Sequence, residues 1–208
     1  MFDAVFFDLD GTLIDTESVA VTTGLAAFAA CGHPVDTAFM HGLVGKAEPM
    51  AATIIRSALP QLDLVEFHGH WRLGFDAAIS QGLPLKTGAA ELLGLIAHPM
   101  ALVTSSGRNS AHHKLGIADL TRHFREIITF DDVTAPKPEP EPYLLAAQRL
   151  GVHPSRCLVF EDSDIGAEAA HRAGCVVVQV PDVVPTQGRF AAHVAADLLA
   201  GARLAGLI

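Results

Sequence analysis

Short runs that are apolar at every position constrain this chain most: Ala4–Phe7, Met100–Val103 and residues 157–160, each giving way to a helical stretch. A strand with one wet face alternates apolar and polar residues. A strand covered on both faces need not, and continuous Val/Leu/Phe runs are the mark of a parallel sheet packed between helices. Residues 126–129 and 176–180 are further strand candidates, and helical stretches follow at 89–97, 109–115, 143–150 and 165–173. The expectation is an α/β protein with a doubly wound parallel sheet, a Rossmann-like core, joined by right-handed crossovers.

One block breaks this rhythm. Residues 15–84 hold no strand candidate. An Ala-rich helix over 19–30 opens at Asp15 or Thr16 and closes at Gly32, and Met50, Ile54 and Ile55 mark a second. Leu64, Phe67, Trp71, Phe75 and Ile79 form an amphipathic stripe at three- and four-residue spacing. Residues 1–14 and 85–208 are therefore expected to form the core. Residues 15–84 are expected to form an inserted helical cap, placed over the carboxyl edge of the sheet because both connections lie there.

Composition removes several functions. The chain has 208 residues, half of them hydrophobic, and a formal charge of −9. That leaves no basic surface for a nucleic-acid backbone. Cys31, Cys157 and Cys175 are odd in number and widely spaced, which suits reduced thiols better than a disulfide framework or a zinc site. No apolar run reaches membrane-spanning length. Met1-Phe2-Asp3 leads straight into the first run, so the expected location is the cytoplasm, as a monomer or homodimer.

The polar residues at the strand ends carry the chemistry. The first run ends in Asp8-Leu9-Asp10-Gly11-Thr12. Two readings are open: a strand entering an Asp-Gly turn, or a carboxylate pair built around a divalent cation. Thr104 and Ser105 follow the second run, Glu161 and Asp162 the fourth, and Lys137 lies in a Pro-rich stretch before a helix. In open α/β sheets ligands lie beyond the carboxyl ends of the strands. Carboxylates there suit Mg²⁺, hydroxyls and free N–H groups at a helix start suit phosphate, and a Lys offsets the charge of both. A carboxylate can attack phosphorus to give an acyl phosphate, and a second acid can move the protons.

Asp8-Leu9-Asp10-Gly11-Thr12, Thr104 after an apolar strand, Lys137 in Lys-Pro-x-Pro, and Phe160-Glu161-Asp162-Ser163-x-x-Gly166 together resemble the four motifs of the haloacid dehalogenase superfamily. They occur in order along the whole chain, with the helical block where some members carry a small cap. The resemblance implies Asp8 as nucleophile and metal ligand, and Asp10 as acid/base with its backbone carbonyl on the metal. It also implies Thr104 and the Ser105 N–H on phosphate, Lys137 on nucleophile and phosphate, and Asp162 on Mg²⁺, with Glu161 as a helper.

The expected activity is Mg²⁺-dependent hydrolysis of a small phosphorylated metabolite, such as a sugar phosphate, through an aspartyl phosphate. The alternatives are a β-phosphoglucomutase-like mutase and a non-catalytic phosphometabolite binder. Haloalkanoate dehalogenases lack an acid at the position of Asp10, which sets dehalogenation aside. Such mutases carry a His where this chain has Ala20. Pro136 replaces the usual Gly before the Lys. Lys46 invites comparison with the Schiff-base Lys of phosphonoacetaldehyde hydrolases, but the second acid, Asp10, does not match that group. Bland readings stand beside these: a capping role for Thr104-Ser105-Ser106 and for Glu161-Asp162, cap or loop acids at Asp15 and Asp164, and surface histidines at His68, His70, His112 and His113.

Overall fold

The computed structural model describes residues 1–43 and 48–208, apart from the side chains of Glu48 and Pro49. Lys46 lies outside the described residues. The chain divides into two compact units, Met1–Asp15 with Pro84–Ile208, and Thr16–Leu83.

Strand β1 (Ala4–Phe7) leads into the second unit, which holds α1 (Thr16–Ala30), α2 (Thr37–His41), α3 (Glu48–Ala58) and α4 (Leu64–Ser80). Asp63 starts α4 by accepting hydrogen bonds from the N–H groups of Val65 and Glu66, which satisfies donors that a helix start leaves open. Phe28 of α1 stacks on Phe67 of α4 with centroids 4.1 Å apart, and Phe39 of α2 meets Phe28 edge-on. Gly24 admits Met40: a β-carbon there would sit 2.3 Å from the Met40 methyl. Of the expected stripe, Phe67 and Ile79 are buried, whereas Leu64, Trp71 and Phe75 are half-buried.

The first unit continues with α5 (Ala89–Leu95), β2 (Met100–Val103), α6 (Arg108–Ile117), β3 (Glu126–Ile128), α7 (Glu141–Leu150) and β4 (Cys157–Glu161). It ends with α8 (Asp164–Arg172), β5 (Val176–Gln179), β6 (His193–Val194) and α9 (Leu198–Leu204). The six strands form one sheet in the order β3-β2-β1-β4-β5-β6, and every pair is parallel. This is the doubly wound arrangement that the continuous apolar runs imply. All four residues of β1 and of β2, and all five of β4, are buried.

Side chains alternate across β1. Phe6 stacks on Tyr143 of α7, with centroids 6.5 Å apart, and Phe7 stacks on Phe160 of β4 at 5.0 Å. Each such ring contributes about 1.5–3 kcal/mol by leaving water. Two elements went unseen in the sequence: α2, five residues long, and β6, two residues that join only the edge of the sheet.

Candidate active site

β1 is flanked by β2 on one side and β4 on the other, so the chain winds outward from it in both directions. Such a switch point leaves a crevice past the carboxyl ends. There, Asp8, Asp10, Thr104, Ser105, Ser106, Lys137, Asp162, Ser163 and Ile165 line a cavity of about 330 Å³. The fold thus gathers the catalytic, phosphate-binding and metal candidates Asp8, Asp10, Thr104, Ser105, Lys137 and Asp162 around one space. Glu161 lies beneath them, fully buried.

Lys137 binds the buried part of this group together. Its Nζ donates to Asp8 Oδ1 at 2.7 Å, to the Val103 carbonyl at 2.8 Å and to Glu161 Oε1 at 2.6 Å. The Tyr143 hydroxyl donates to the same Glu161 oxygen at 2.6 Å. Burial alone would drive the Lys137 ammonium toward its neutral form, but the carboxylates of Asp8 and Glu161 hold it above its ordinary value. For Asp8, burial outweighs the attraction of Lys137 and, with repulsion from Glu161, pushes the carboxyl up to about 7. Although it lies in a Pro-rich stretch, the Lys137 side chain is only 4% exposed.

Carboxylate oxygens of Asp8, Glu161 and Asp162 all lie within 4.8 Å of one another. Burial, then the charges of Glu161 and Asp8, pushes Asp162 up to about 9. Three crowded hard-oxygen ligands against one ammonium leave an excess of negative charge that a cation such as Mg²⁺ would relieve, so the donor set fits that metal. Gly11, at φ +85°, makes room for the Asp162 carboxyl: a β-carbon there would lie 2.5 Å from Asp162 Oδ2. Thr12 donates to Asp162 Oδ1 at 3.3 Å.

Asp10 faces different partners. Its Oδ1 and Oδ2 accept from Lys114 Nζ at 2.8 and 2.9 Å, and Oδ2 also accepts from the Ser106 hydroxyl at 2.8 Å. The carboxyl of Asp10 is thus absent from the cluster formed by Asp8, Glu161 and Asp162.

The capping readings of Thr104-Ser105-Ser106 and of Glu161-Asp162 fail. Gly107 caps α6 with no side-chain bond, and Ser163 rather than Glu161 or Asp162 caps α8. Thr104 Oγ1 instead accepts from the Ser106 N–H at 3.0 Å. Asp164 accepts from the Gln179 amide at 2.9 Å and from the Thr186 hydroxyl.

Lys114, Ser106 and Tyr143 contact Asp10 or Glu161 but lie outside the motifs. Only Lys114 had a signal available in the sequence, since it lies within the first two turns of the helix that follows the second strand, close to the same rim.

The second unit has its own cavity, of about 500 Å³, lined by Leu43, Ile55, Trp71 and Phe75 among others, with His68 and Arg72 as its polar members. His70, expected as a surface histidine, comes close to Cys31 and Glu66, with ligating atoms within 4.8 Å. Its side chain and that of Glu66 are 48% and 57% exposed, and they pair one helical turn apart, which accounts for both. Among the described residues no helix is long and apolar enough to cross a membrane.

Residues 2–174 match the family model for haloacid dehalogenase-like hydrolases. A phosphorylated carbohydrates phosphatase of Thermotoga maritima is 33% identical over 83% of this chain and 82% of its own length. A fructose-1-phosphate phosphatase of Escherichia coli is 34% identical over 86% of this chain and 96% of its own. The crystal structure of a haloacid dehalogenase family hydrolase from Deinococcus radiodurans, with bound phosphate and sodium, superposes with a TM-score of 0.86. It is 29% identical and covers 99% of this chain and 95% of that one.

Proposed function

This chain belongs to the haloacid dehalogenase-like hydrolases and is an enzyme of the phosphoric monoester hydrolase type, and we propose that it hydrolyses small phosphorylated carbohydrates through an aspartyl phosphate on Asp8. The observation that carries this reading is the contact of Lys137 Nζ with Asp8 Oδ1 at 2.7 Å in a cavity that also holds Thr104, Ser105 and Asp162. A carboxylate bridged to an ammonium, beside hydroxyl and N–H donors, suits attack on a phosphate ester. The carbohydrate class rests on the names of the phosphatase relatives.

In the proposed reaction Asp8 attacks phosphorus, forming a bond from its carboxylate oxygen while the ester P–O bond breaks. Asp10, in its acid form, gives a proton to the departing alkoxide. A water then attacks the acyl phosphate, Asp10 takes its proton, the bond between phosphorus and Asp8 breaks, and inorganic phosphate leaves. Lys137, with Thr104 and Ser105, binds the phosphoryl oxygens and orients them for in-line attack. Asp8, Asp162 and the Asp10 carbonyl would hold Mg²⁺, which supplies charge neutralisation between two anions. The unit Thr16–Leu83 is assigned the selection of the carbohydrate. Ala20, in place of the His of related mutases, favours transfer to water over return to a sugar.

Phosphate release from a panel of phosphorylated carbohydrates, with Mg²⁺, tests the reading. Release by the native protein and loss of nearly all of it in Asp8→Asn is the expected result. Isomerisation of a sugar phosphate in the presence of its bisphosphate, without release, would make the protein a mutase.

A further inference from the structure

We propose that Lys114 is a positioning residue that fixes the carboxylate of Asp10 for proton exchange with the leaving and attacking oxygens. The proposal rests on the phosphatase reading above, with Asp10 as acid/base. Its basis is a closed triangle of contacts: Lys114 Nζ reaches both Asp10 oxygens at 2.8 and 2.9 Å and the Ser106 hydroxyl at 3.2 Å. The same hydroxyl donates to Asp10 Oδ2 at 2.8 Å.

The chain invests three separated segments in holding this one side chain. Asp10 follows β1, Ser106 follows β2, and Lys114 lies on the second turn of α6. Ala111 and Leu115, both fully buried, anchor that helix on either side of Lys114. The Lys114 stem is thereby fixed, and its side chain is only 12% exposed while that of Asp10 is 30% exposed. An aspartate that open to solvent would otherwise sample several orientations of its terminal torsion. Contacts to both oxygens remove that freedom. Proton transfer demands reach within hydrogen-bond distance of the reacting oxygen, and a 1 Å misplacement can cost about 100-fold.

The arrangement differs from an ordinary surface ion pair. Such pairs contribute little and face solvent. Here the carboxylate lines the same cavity as Asp8, Thr104 and Lys137, and Ser106 lines it too. Lys114 does not line that cavity, so its influence on the reaction runs through Asp10 and Ser106.

The test separates positioning from a merely structural role through the leaving group. An alkyl phosphate needs a proton on its departing oxygen, whereas p-nitrophenyl phosphate releases a stable phenolate without one. kcat/KM covers the steps up to loss of the leaving group. For Lys114→Met, kcat/KM on the alkyl phosphate is expected to fall roughly 10–100-fold more than on p-nitrophenyl phosphate. kcat falls on both, because the water step also uses Asp10. Inhibition by inorganic phosphate stays unchanged, since Thr104, Ser105 and Lys137 are intact. Lys114→Arg should restore part of the loss. In an Asp10→Asn background, Lys114→Met should leave the ratio between the two substrates where it was.

An equal fall in kcat/KM on both substrates, or weaker inhibition by phosphate, would overturn the proposal and make Lys114 a structural or phosphate-binding group. No fall would make it dispensable. If Lys114→Met does not fold, Lys114→Gln, which removes the charge and shortens the reach but stays polar, gives the same comparison. Absence of phosphate release from either substrate by the native protein would overturn the phosphatase reading itself.

Discussion

Gly166, in the first turn of α8, lies against the carboxyl of Glu161 so closely that a β-carbon on it would sit 1.9 Å from Oε1 and 2.0 Å from Cδ. Glu161 cannot step aside. It is fully buried, and its oxygens accept from Lys137, Tyr143 and Ser163. Gly166→Ala is therefore expected to destabilise by about 1–3 kcal/mol, the usual range for overpacking, and to displace the partner of Lys137. A thermal melt should show Tm lower by roughly 2–10 °C, with a loss of phosphate release. Gly94→Ala in α5, where nothing lies within 4 Å of the added carbon, is the control and should be neutral or slightly stabilising. A Gly166→Ala protein as stable and active as the native one would show that the site does not depend on this fit.

Tyr143 acts on the same carboxylate from below. Its hydroxyl donates to Glu161 Oε1 at 2.6 Å, and burial, followed by the charges of Glu161 and Asp8, holds the phenol well above its ordinary value. Tyr143→Phe keeps the stacking on Phe6 and removes one bond to a charged acceptor, a loss of about 1.5–3 kcal/mol. Lys137→Met, by contrast, strands two buried carboxylates without a counter-charge and should cost about 3–5 kcal/mol. Urea unfolding at pH 7 should rank native above Tyr143→Phe and Tyr143→Phe above Lys137→Met. Phosphate release should fall much less in the Phe variant, because Tyr143 does not line the cavity. Equal losses of activity would point to a direct role for the phenol.

How much of this was legible in the sequence depends on whether a contact is local. β1, β2 and β4 could be read because strands buried on both faces are apolar throughout, and period alone marks them. β6 could not, because His193 and Val194 are too short a pair to have a period. The residues after each strand were readable as one rim because strand order and parallel pairing send every carboxyl end the same way. The partners they choose there were not. Asp8 and Asp10 lie on alternate positions, yet Asp8 turns to Lys137 and Asp10 to Lys114. That division depends on where α6 and α7 lie against the sheet, which no spacing along the chain encodes. Nor does spacing show that Glu161 is seated on Gly166 and Tyr143.

The acid cluster predicts an unusual response to metal. In the metal-free protein burial, then the charges of Glu161 and Asp8, push the Asp162 carboxyl up to about 9, so folding forces on it a proton that it would not hold in the unfolded chain. Asp162→Asn removes one of three crowded carboxylates, so the metal-free variant should be more stable than the metal-free native protein, by roughly 1–3 kcal/mol. Mg²⁺ should then raise the Tm of the native protein, by an amount that follows about 2.7 kcal/mol at one hundred times the dissociation constant. The variant should respond weakly or not at all. Melts with chelator and with Mg²⁺, on both proteins, check this. A native Tm that ignores Mg²⁺ would show that Asp8 and Asp162 do not hold it.

Asp132 ties the end of β3 to two helices and makes stability depend on acid. Its Oδ2 accepts from the Thr129 N–H at 2.9 Å and the Thr129 hydroxyl at 2.6 Å. Its Oδ1 accepts from Arg108 of α6 at 3.0 Å and from Arg149 of α7 at 3.3 Å. Burial works to raise its pKa, but the Thr129 bonds, Arg149 and Arg108 outweigh it and hold the carboxyl down at about 2, against an ordinary 3.8. A folded value below the unfolded one means that the stabilisation is present in full above the unfolded value and is lost as pH falls through about 2. A fall from 3.8 to about 2 corresponds to a little over 2 kcal/mol, and solvent around the half-exposed Arg108 reduces that to roughly 1–2 kcal/mol. Asp132→Asn should therefore be less stable than the native protein by that amount at pH 7 and pH 5, with the gap narrowing from pH 4 toward pH 2. Urea unfolding of both proteins across that range isolates this carboxyl, because every other titrating group is common to the pair. A gap of constant size at all pH values would mean that Asp132 acts through the shape of its contacts and not through its charge.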